Sequence, residues 1–194
     1  MSGEKNEGKA KTEEKLGKDA FKRKEFDMAM NHYKEAIRLN PREVAYRHHI
    51  AKLKFEQKKY GECIKYCRRT VKVGKENKGD VKVVAKAYIL RGRARIEIGE
   101  PDRGKADIEK AVTFFYKIAN VKYENHKIRE CLKFCDRAIN ISNEDVIDFD
   151  LINSVLLLKL EAMATVNCQL LNCVLYNTGW QLAYLSTRLH MQGC

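Results

Sequence analysis

The cysteines are the first residues to consider, because four of them form two pairs at a spacing that could hold a metal. Cys63 and Cys67 are four residues apart, and so are Cys131 and Cys135. On a helix such a pair lies on one face and could share a zinc ion if further ligands converged on it. The same positions belong to the apolar stripes of their segments, where a free cysteine packs as a small hydrophobe. We expect core packing, with metal or redox chemistry as the alternative, and we expect no cofactor.

The other reactive side chains do not form a recognisable catalytic arrangement. His48 and His49 are the only adjacent histidines. They are either ordinary surface residues or part of a binding surface. The sequence has no zinc-protease motif, no phosphate-binding loop and no pair of carboxylates that can be placed on one site. We therefore expect a protein that is not an enzyme.

Positive charge is prominent, with 38 Lys and Arg against 26 Asp and Glu and a net charge of +12. The basic residues of one predicted helix do not share a face, so this helix is either solvated or lines a groove for an anionic peptide. Binding of single-stranded nucleic acid uses exposed aromatic residues among the charges, whereas most aromatic residues here have predicted core positions. We do not expect a nucleic-acid partner. The basic residues of this helix are Lys82, Lys86, Arg91, Arg93 and Arg95.

Helical periodicity begins near Thr12 and organises the residues up to Pro41 into two segments. Small residues, aromatic residues and a closing proline recur in the order typical of the tetratricopeptide repeat (TPR), whose period is about 34 residues. Gly17 and Ala29 would lie where the two helices cross closely. The remaining positions that carry this pattern are Leu16, Ala20, Phe21, Phe26, Tyr33 and Ala36.

The same pattern recurs along the chain. Residues 117–141 resemble residues 49–73, so that Cys131 corresponds to Cys63, which lies 68 residues earlier. This offset is twice the period. We predict an all-α fold of helical hairpins stacked in a right-handed superhelix, with about three clear repeats and one or two degenerate ones. The second helix of the third repeat and the first helix of the fourth are expected to run together. The predicted repeats are 10–43, 44–77, 85–118 and 112–145.

The two ends of the chain differ from this TPR domain, which we place at 12–145. Residues 1–11 are polar and charged, which predicts a disordered tail. Residues 146–194 are apolar; we expect a long buried helix from Leu151 to Tyr176 and a short helix around Trp180, as a degenerate repeat, a cap or a poorly packed segment. The N-terminus does not resemble a signal peptide and no apolar run is long enough to span a membrane, so we expect a cytoplasmic protein.

Residues 13–112 resemble the central peptide-binding TPR module of the Hop family, the heat-shock organising proteins. The resemblance is carried by the stretches EEKLGKDAFKRKEFDMAMNHYKEA, AKLKFEQKKYGECIKYC, KVGKEN and VVAKAYILRG. It implies a non-catalytic adaptor that binds the acidic C-terminal tail of a heat-shock chaperone, Met-Glu-Glu-Val-Asp in heat-shock protein 90. In that family five side chains clamp the ligand carboxylates.

Carried onto this sequence, the clamp positions are Glu14, Lys18, His49, Lys86 and Leu90. Only Lys86 is kept, while Lys18 and His49 can still donate hydrogen bonds to a carboxylate. Glu14 reverses a positive charge, and Leu90 removes a guanidinium. The residues predicted to bind peptide are Lys18, Phe21, His49, Glu56, Lys86 and Arg91.

Two functions remain open at this stage beside the disfavoured nucleic-acid reading. The first is a co-chaperone-like adaptor that is a monomer and holds a chaperone tail in its groove. The second is a TPR scaffold for another protein, in which the clamp is lost and the apolar C-terminal region forms part of the interface.

Overall fold

The computed structural model describes residues 2–77, 80–144, 151 and 153–167. Apart from turns these residues are helical, and no strand occurs among them. The helices are α1 (Ser2–Lys22), α2 (Phe26–Leu39), α3 (Val44–Glu56), α4 (Tyr60–Glu76), α5 (Val81–Glu97), α6 (Pro101–Glu124) and α7 (Ile128–Glu144). Residues 153–167 form a further helix, α8. No described helix is long and apolar enough to cross a membrane.

Consecutive helices pack against each other from α1 to α7, and α3 also packs against α5. Because the turns inside the hairpins are short, the paired helices run antiparallel. The first helices of successive hairpins therefore lie side by side. The 24-residue helix α6 packs on both α5 and α7, so it serves two hairpins at once, as the sequence predicted. The TPR architecture is confirmed.

Each hairpin turns through one residue with positive φ. These residues are Lys24 (62°), Lys58 (57°), Gly99 (79°) and His126 (56°). In each turn the backbone N–H of the next residue donates to a carbonyl near the end of the first helix, as in Lys59 N to Lys54 O at 2.9 Å. The left-handed residue satisfies carbonyls that the ending helix leaves open. The same turn recurs four times, which keeps the hairpins alike.

Small residues bring the two helices of a hairpin into close contact. A Cβ atom on Gly17 would lie 2.6 Å from the ring of Tyr33. A Cβ on Gly92 would lie 2.7 Å from the carbonyl oxygen of Gly104, and one on Gly104 would lie 2.8 Å from that of Gly92. The backbones of α5 and α6 therefore touch directly. The predicted close crossing at Gly17 is present, and Gly104 belongs to a second one.

Both cysteine pairs lie in the core, as predicted. All four cysteines are buried, and the Sγ atoms of each pair are 4.0 Å apart. Burial raises the pKa of Cys135 to about 12 and also raises that of Cys131. These thiols are protonated at neutral pH, so they pack as small apolar side chains rather than as nucleophiles.

The N-terminal prediction is wrong for the described residues. Helix α1 begins at Ser2, whereas residues 1–11 were predicted to be disordered. Ala10 is fully buried in a small cluster with Ala36 and Tyr46. A salt bridge of 2.7 Å between Lys11 and Glu7 supports the same turn. One apolar contact late in the segment is enough to extend the helix through a polar sequence, because propagation adds a hydrogen bond per residue.

Helix α8 is buried on one face only. Val155, Leu158 and Ala162 are buried, whereas Leu157 and Leu160 are each 62% exposed. The predicted long buried helix is therefore helical at residues 153–167 but buried on one face only. Residues 168–176 and the predicted helix around Trp180 lie outside the described residues. The division into domains at 12–145 and 146–194 stays a prediction.

We expect Gly92→Ala to lower the free energy of unfolding by about 1–3 kcal/mol, because the new methyl group would force α5 away from the backbone of α6. Urea denaturation measures the change. Gly61→Ala is the matched control, because no atom lies within 4 Å of the added Cβ, and it should leave stability unchanged or raise it by up to about 1 kcal/mol. Equal effects of the two substitutions would contradict the close crossing.

Candidate peptide-binding groove

A cavity of about 450 Å³ lies between α3 and α5. Its residues from α3 recur at helical spacing, as do those from α5, so each helix presents one face to it. Three of the six predicted binding residues meet here, namely His49, Glu56 and Lys86. Leu90 also lines the cavity, at the position where the Hop resemblance places a lost arginine. The remaining lining residues are His48, Lys52, Phe55, Ile89 and Arg93. We call this cavity the α3–α5 groove.

Glu14, on α1, lies beside the groove and is bonded to its lining residue His49. Its Oε1 accepts hydrogen bonds from Lys18 Nζ at 2.6 Å and from His49 Nε2 at 2.9 Å. Burial raises the pKa of Glu14, but the bonds from Lys18 and His49 outweigh it, so the pKa lies below its ordinary value. Two of the predicted ligand donors are therefore already paired with a carboxylate of the chain itself. We call these three residues the Glu14 cluster.

His49 is fixed by this cluster and by its own packing. Its ring stacks on Tyr33 with 5.2 Å between the ring centroids. Burial lowers the pKa of His49 even though the bond to Glu14 opposes this. At neutral pH His49 is therefore a neutral hydrogen-bond donor rather than a cation.

Phe21 lies beside the groove rather than in its wall. Its ring packs edge-on against Phe26, with the centroids 6.1 Å apart. The ammonium group of Lys52 lies 5.2 Å from the centre of the Phe21 ring. The face of the Phe21 ring thus attracts the ammonium group of Lys52, which lines the groove.

His48 is a groove residue that the sequence did not distinguish from an ordinary surface histidine. Its Nδ1 is buried and, among the described residues, has no hydrogen-bond partner. Burial, together with the nearby His49 and Lys86, lowers the pKa of His48 to about 3. The spacing of four residues between His48 and Lys52 was the available signal, because it puts both on one helical face.

Arg91 was predicted to bind peptide, and the structure places it elsewhere. Its Nε donates to Asp107 Oδ2 at 2.7 Å, and Arg95 Nη1 donates to the same oxygen at 2.7 Å. The Asp107 side chain is 1% exposed. Burial acts to lower the pKa of Arg91, and its bond to Asp107 raises it overall. Arg91 therefore joins α5 to α6 and does not line the groove, since it is turned by about 100° from Leu90.

Sequence comparisons find several similar proteins that carry Hop-type names. No family model matches the chain. It is 40% identical over 82 residues to stress-induced-phosphoprotein 1 of Caenorhabditis elegans. This alignment covers 42% of this chain and 26% of that protein. It is 33% identical over 123 residues to Hsp70-Hsp90 organizing protein 2 of Arabidopsis thaliana, which covers 63% of this chain and 21% of the relative. The chain thus spans about a quarter of the length of these relatives. Neither name denotes an enzyme.

Solved structures agree with these relatives. The N-terminal domain of stress-induced protein-1 from C. elegans superimposes with a TM-score of 0.50 at 27% identity, over 79% of this chain and 97% of that one. The TPR2AB domain of yeast Sti1, solved as a complex with pHSP90, gives a TM-score of 0.52 at 16% identity, over 81% of this chain and 84% of that one. At that identity the second match shows the fold alone.

This chain is a TPR protein related to the Hop family. The groove faces of α3 and α5 contain His49, Lys86 and Leu90, which are three of the clamp positions that the resemblance gives. Leu90 lies in the groove and Arg91 does not, which supports the alignment as it was made. The assignment to the central module of the family stays a prediction.

We expect Asp107→Asn to lower the free energy of unfolding by about 3–5 kcal/mol, because it leaves two partly buried guanidinium groups without their carboxylate. Chemical denaturation followed by circular dichroism measures this change. Asp102→Asn, an exposed residue on the same helix, should cost less than about 1 kcal/mol. A small effect at Asp107 would contradict its role in holding α5 against α6.

The burial of His48 predicts a dependence of stability on pH. The unfolded chain binds a proton at His48 near the ordinary value of 6.5, whereas the folded chain does so only near pH 3. Unfolding therefore takes up a proton between these values, and stability falls as the pH falls through this window. From pH 7 to pH 5 the Hop-related chain should lose about 1–2 kcal/mol more than its His48→Gln variant.

Urea denaturation at both pH values tests this expectation. The control is His126→Asn, which removes an exposed histidine at a hairpin turn. This variant should keep the pH dependence of the unaltered chain. If His48→Gln also keeps it, the His48 ring is not held in its neutral form by the fold.

Proposed function

We propose that this Hop-related chain is a non-catalytic adaptor whose α3–α5 groove binds the acidic C-terminal peptide of a heat-shock chaperone, heat-shock protein 90 or a related one. The proposal includes a monomeric protein that works in the cytoplasm. The names of the relatives support the class of partner, and the charge of the groove supports the class of ligand.

The observation that carries the proposal is the set of cations around one apolar cavity. Lys52, Lys86 and Arg93 line the groove, where Glu56 is the only acid among the lining residues. Ile89 and Leu90 provide an apolar wall. An extended peptide that alternates carboxylates with an aliphatic side chain matches this lining, because hydrogen bonds to charged groups are stronger than neutral ones.

The Glu14 cluster determines how tightly such a peptide binds. The terminal carboxylate of the ligand would have to displace the Glu14 carboxylate from Lys18 and His49, or bind without them. We therefore expect the unaltered chain to bind through Lys86 and its neighbours, with lower affinity than a complete clamp would give. Two lost contacts at about 1.4 kcal/mol each weaken binding about a hundredfold.

Calorimetric titration with a Met-Glu-Glu-Val-Asp peptide at physiological salt tests this proposal. We expect weak binding to the unaltered chain and binding at least about tenfold tighter to Glu14→Lys/Leu90→Arg. The substitution at Glu14 restores a cation and frees Lys18, and the one at Leu90 places a guanidinium in the groove. The Lys86→Gln variant should bind more weakly than the unaltered chain.

The matched control for charge is Glu7→Lys/Ile98→Arg, which makes the same changes at exposed positions of α1 and of the turn after α5. Its affinity should stay close to that of the unaltered chain. When the C-terminus of the peptide is amidated, most of the increase in affinity expected for Glu14→Lys/Leu90→Arg should disappear. No binding at millimolar peptide in any variant would refute the proposed ligand.

The second candidate is a scaffold for another protein. The exposed apolar face of α8 favours it, because four large side chains there lack cover from the described part of the chain. They are Leu156, Leu157, Leu160 and Met163. If the peptide titrations are blank, a partner whose capture depends on Leu157 and Leu160 but not on Lys86 would support this function instead.

A further inference from the structure

A second cavity, of about 500 Å³, lies between α2, α3 and α4. On α3 it is lined by Arg47 and Ile50, which point to the side opposite His48 and His49 at 100° per residue. It is therefore separate from the α3–α5 groove, on the other face of the same helix. The complete lining is Lys34, Ile37, Arg47, Ile50, Tyr66, Arg69, Lys72, Val73 and Glu76. We call it the rear cavity.

The charges of the rear cavity are not balanced within the chain. Four cations line it against one acid, Glu76, whose Oε1 lies 3.8 Å from Lys72 Nζ. In the described part of the chain no salt bridge joins Arg47, Arg69 or Lys34 to a carboxylate. Elsewhere on this surface arginines are paired, as Arg38 is with Glu35 at 2.6 Å. The cations of the rear cavity thus lack the carboxylate partners that arginines have elsewhere on this surface.

The two arginines of the rear cavity are held by neutral groups. Arg47 Nη1 donates to the carbonyl oxygen of Pro41 at 2.7 Å. The guanidinium of Arg69 lies 5.6 Å from the centre of the Tyr66 ring. Burial lowers the pKa of Arg47, and the charge of Arg69 lowers it further. The two guanidinium groups are therefore near enough to repel each other, and an anion between them would relieve this repulsion.

The floor of the cavity is apolar. Ile37, Ile50 and Val73 line it together with the face of Tyr66. A small inorganic anion would leave this floor uncovered. A peptide that carries an aliphatic side chain beside its carboxylates would cover the floor and pair with the rim at the same time.

We propose that the rear cavity is a second binding site, which takes an internal acidic segment of a partner protein with carboxylates flanking an aliphatic side chain. The ligand needs no free chain end, because its side-chain carboxylates can pair with the cations that line the cavity. The ligand carboxylates pair with Arg69, Lys34 and Arg47, and the aliphatic side chain lies on Ile37 and Val73. The chain can then hold a partner on both faces of α3.

The probe is a short fluorescent peptide in which Glu alternates with Val, acetylated and amidated so that it has no terminal carboxylate. Its anisotropy is measured with the full chain at physiological salt. We expect saturable binding, weakened at least about tenfold by Lys34→Gln/Arg69→Gln. Both residues are exposed, so the fold should survive, which a thermal melt checks.

The matched control is Lys65→Gln/Arg68→Gln, which removes the same charge from exposed positions of α4 outside the cavity lining. It should weaken binding by less than about twofold. Lys86→Gln should leave this affinity unchanged, while it weakens the binding of Met-Glu-Glu-Val-Asp. The experiments can thus refute the proposal for one site without refuting the proposal for the other.

Three results would overturn the proposal. The first is no saturable binding of the amidated peptide. The second is an equal loss in the two double variants, which would mean general attraction to a basic surface. The third is a loss with Lys86→Gln as large as that with Lys34→Gln/Arg69→Gln, which would place the peptide in the α3–α5 groove.

Discussion

The direct contact between backbones at Gly92 and Gly104 is the constraint on which the groove depends. Because neither residue has a Cβ, α5 can lie very close to α6. A Cβ placed on either glycine would come within 3 Å of the carbonyl oxygen of the other. Asp107 holds the same interface through two arginines of α5. With α5 fixed on that side, its opposite face is presented to α3. The proposed peptide-binding surface is thus set by contacts that no ligand would touch.

Glu14 changes what this surface can recognise. A carboxylate that accepts from Lys18 and His49 does within the chain what a ligand terminus does in the clamp of the Hop family. Its lowered pKa means that the carboxylate stays ionised and paired throughout the neutral range. The cationic part of the groove therefore shifts away from α1, toward Lys52, Lys86 and Arg93.

The sequence could predict the hairpins because small, aromatic and proline positions recur at a fixed period, and this period also revealed the shared helix α6. It could not predict the direction of single charged side chains. Arg91 and Arg93 look alike in the sequence, yet one pairs with Asp107 and the other lines the groove. The signal for the difference was Asp107 itself, an acid on the apolar stripe of α6 that needs a buried cation. The polar composition of residues 1–11 predicted disorder, because it gave no sign of the tertiary contact that Ala10 makes with Ala36 and Tyr46.

The two sides of α3 differ in how the charged side chains around them are paired. On one face Glu56 is the only acid among the lining residues of the α3–α5 groove, and Glu14 beside the groove accepts from Lys18 and His49. On the other face Arg47 and Arg69 have only carbonyl and aromatic partners among the contacts described above. A protein gains nothing in folding from bringing like charges together, since their repulsion opposes burial. A bound anion would offset this repulsion, which is the physical basis of the second binding site proposed above.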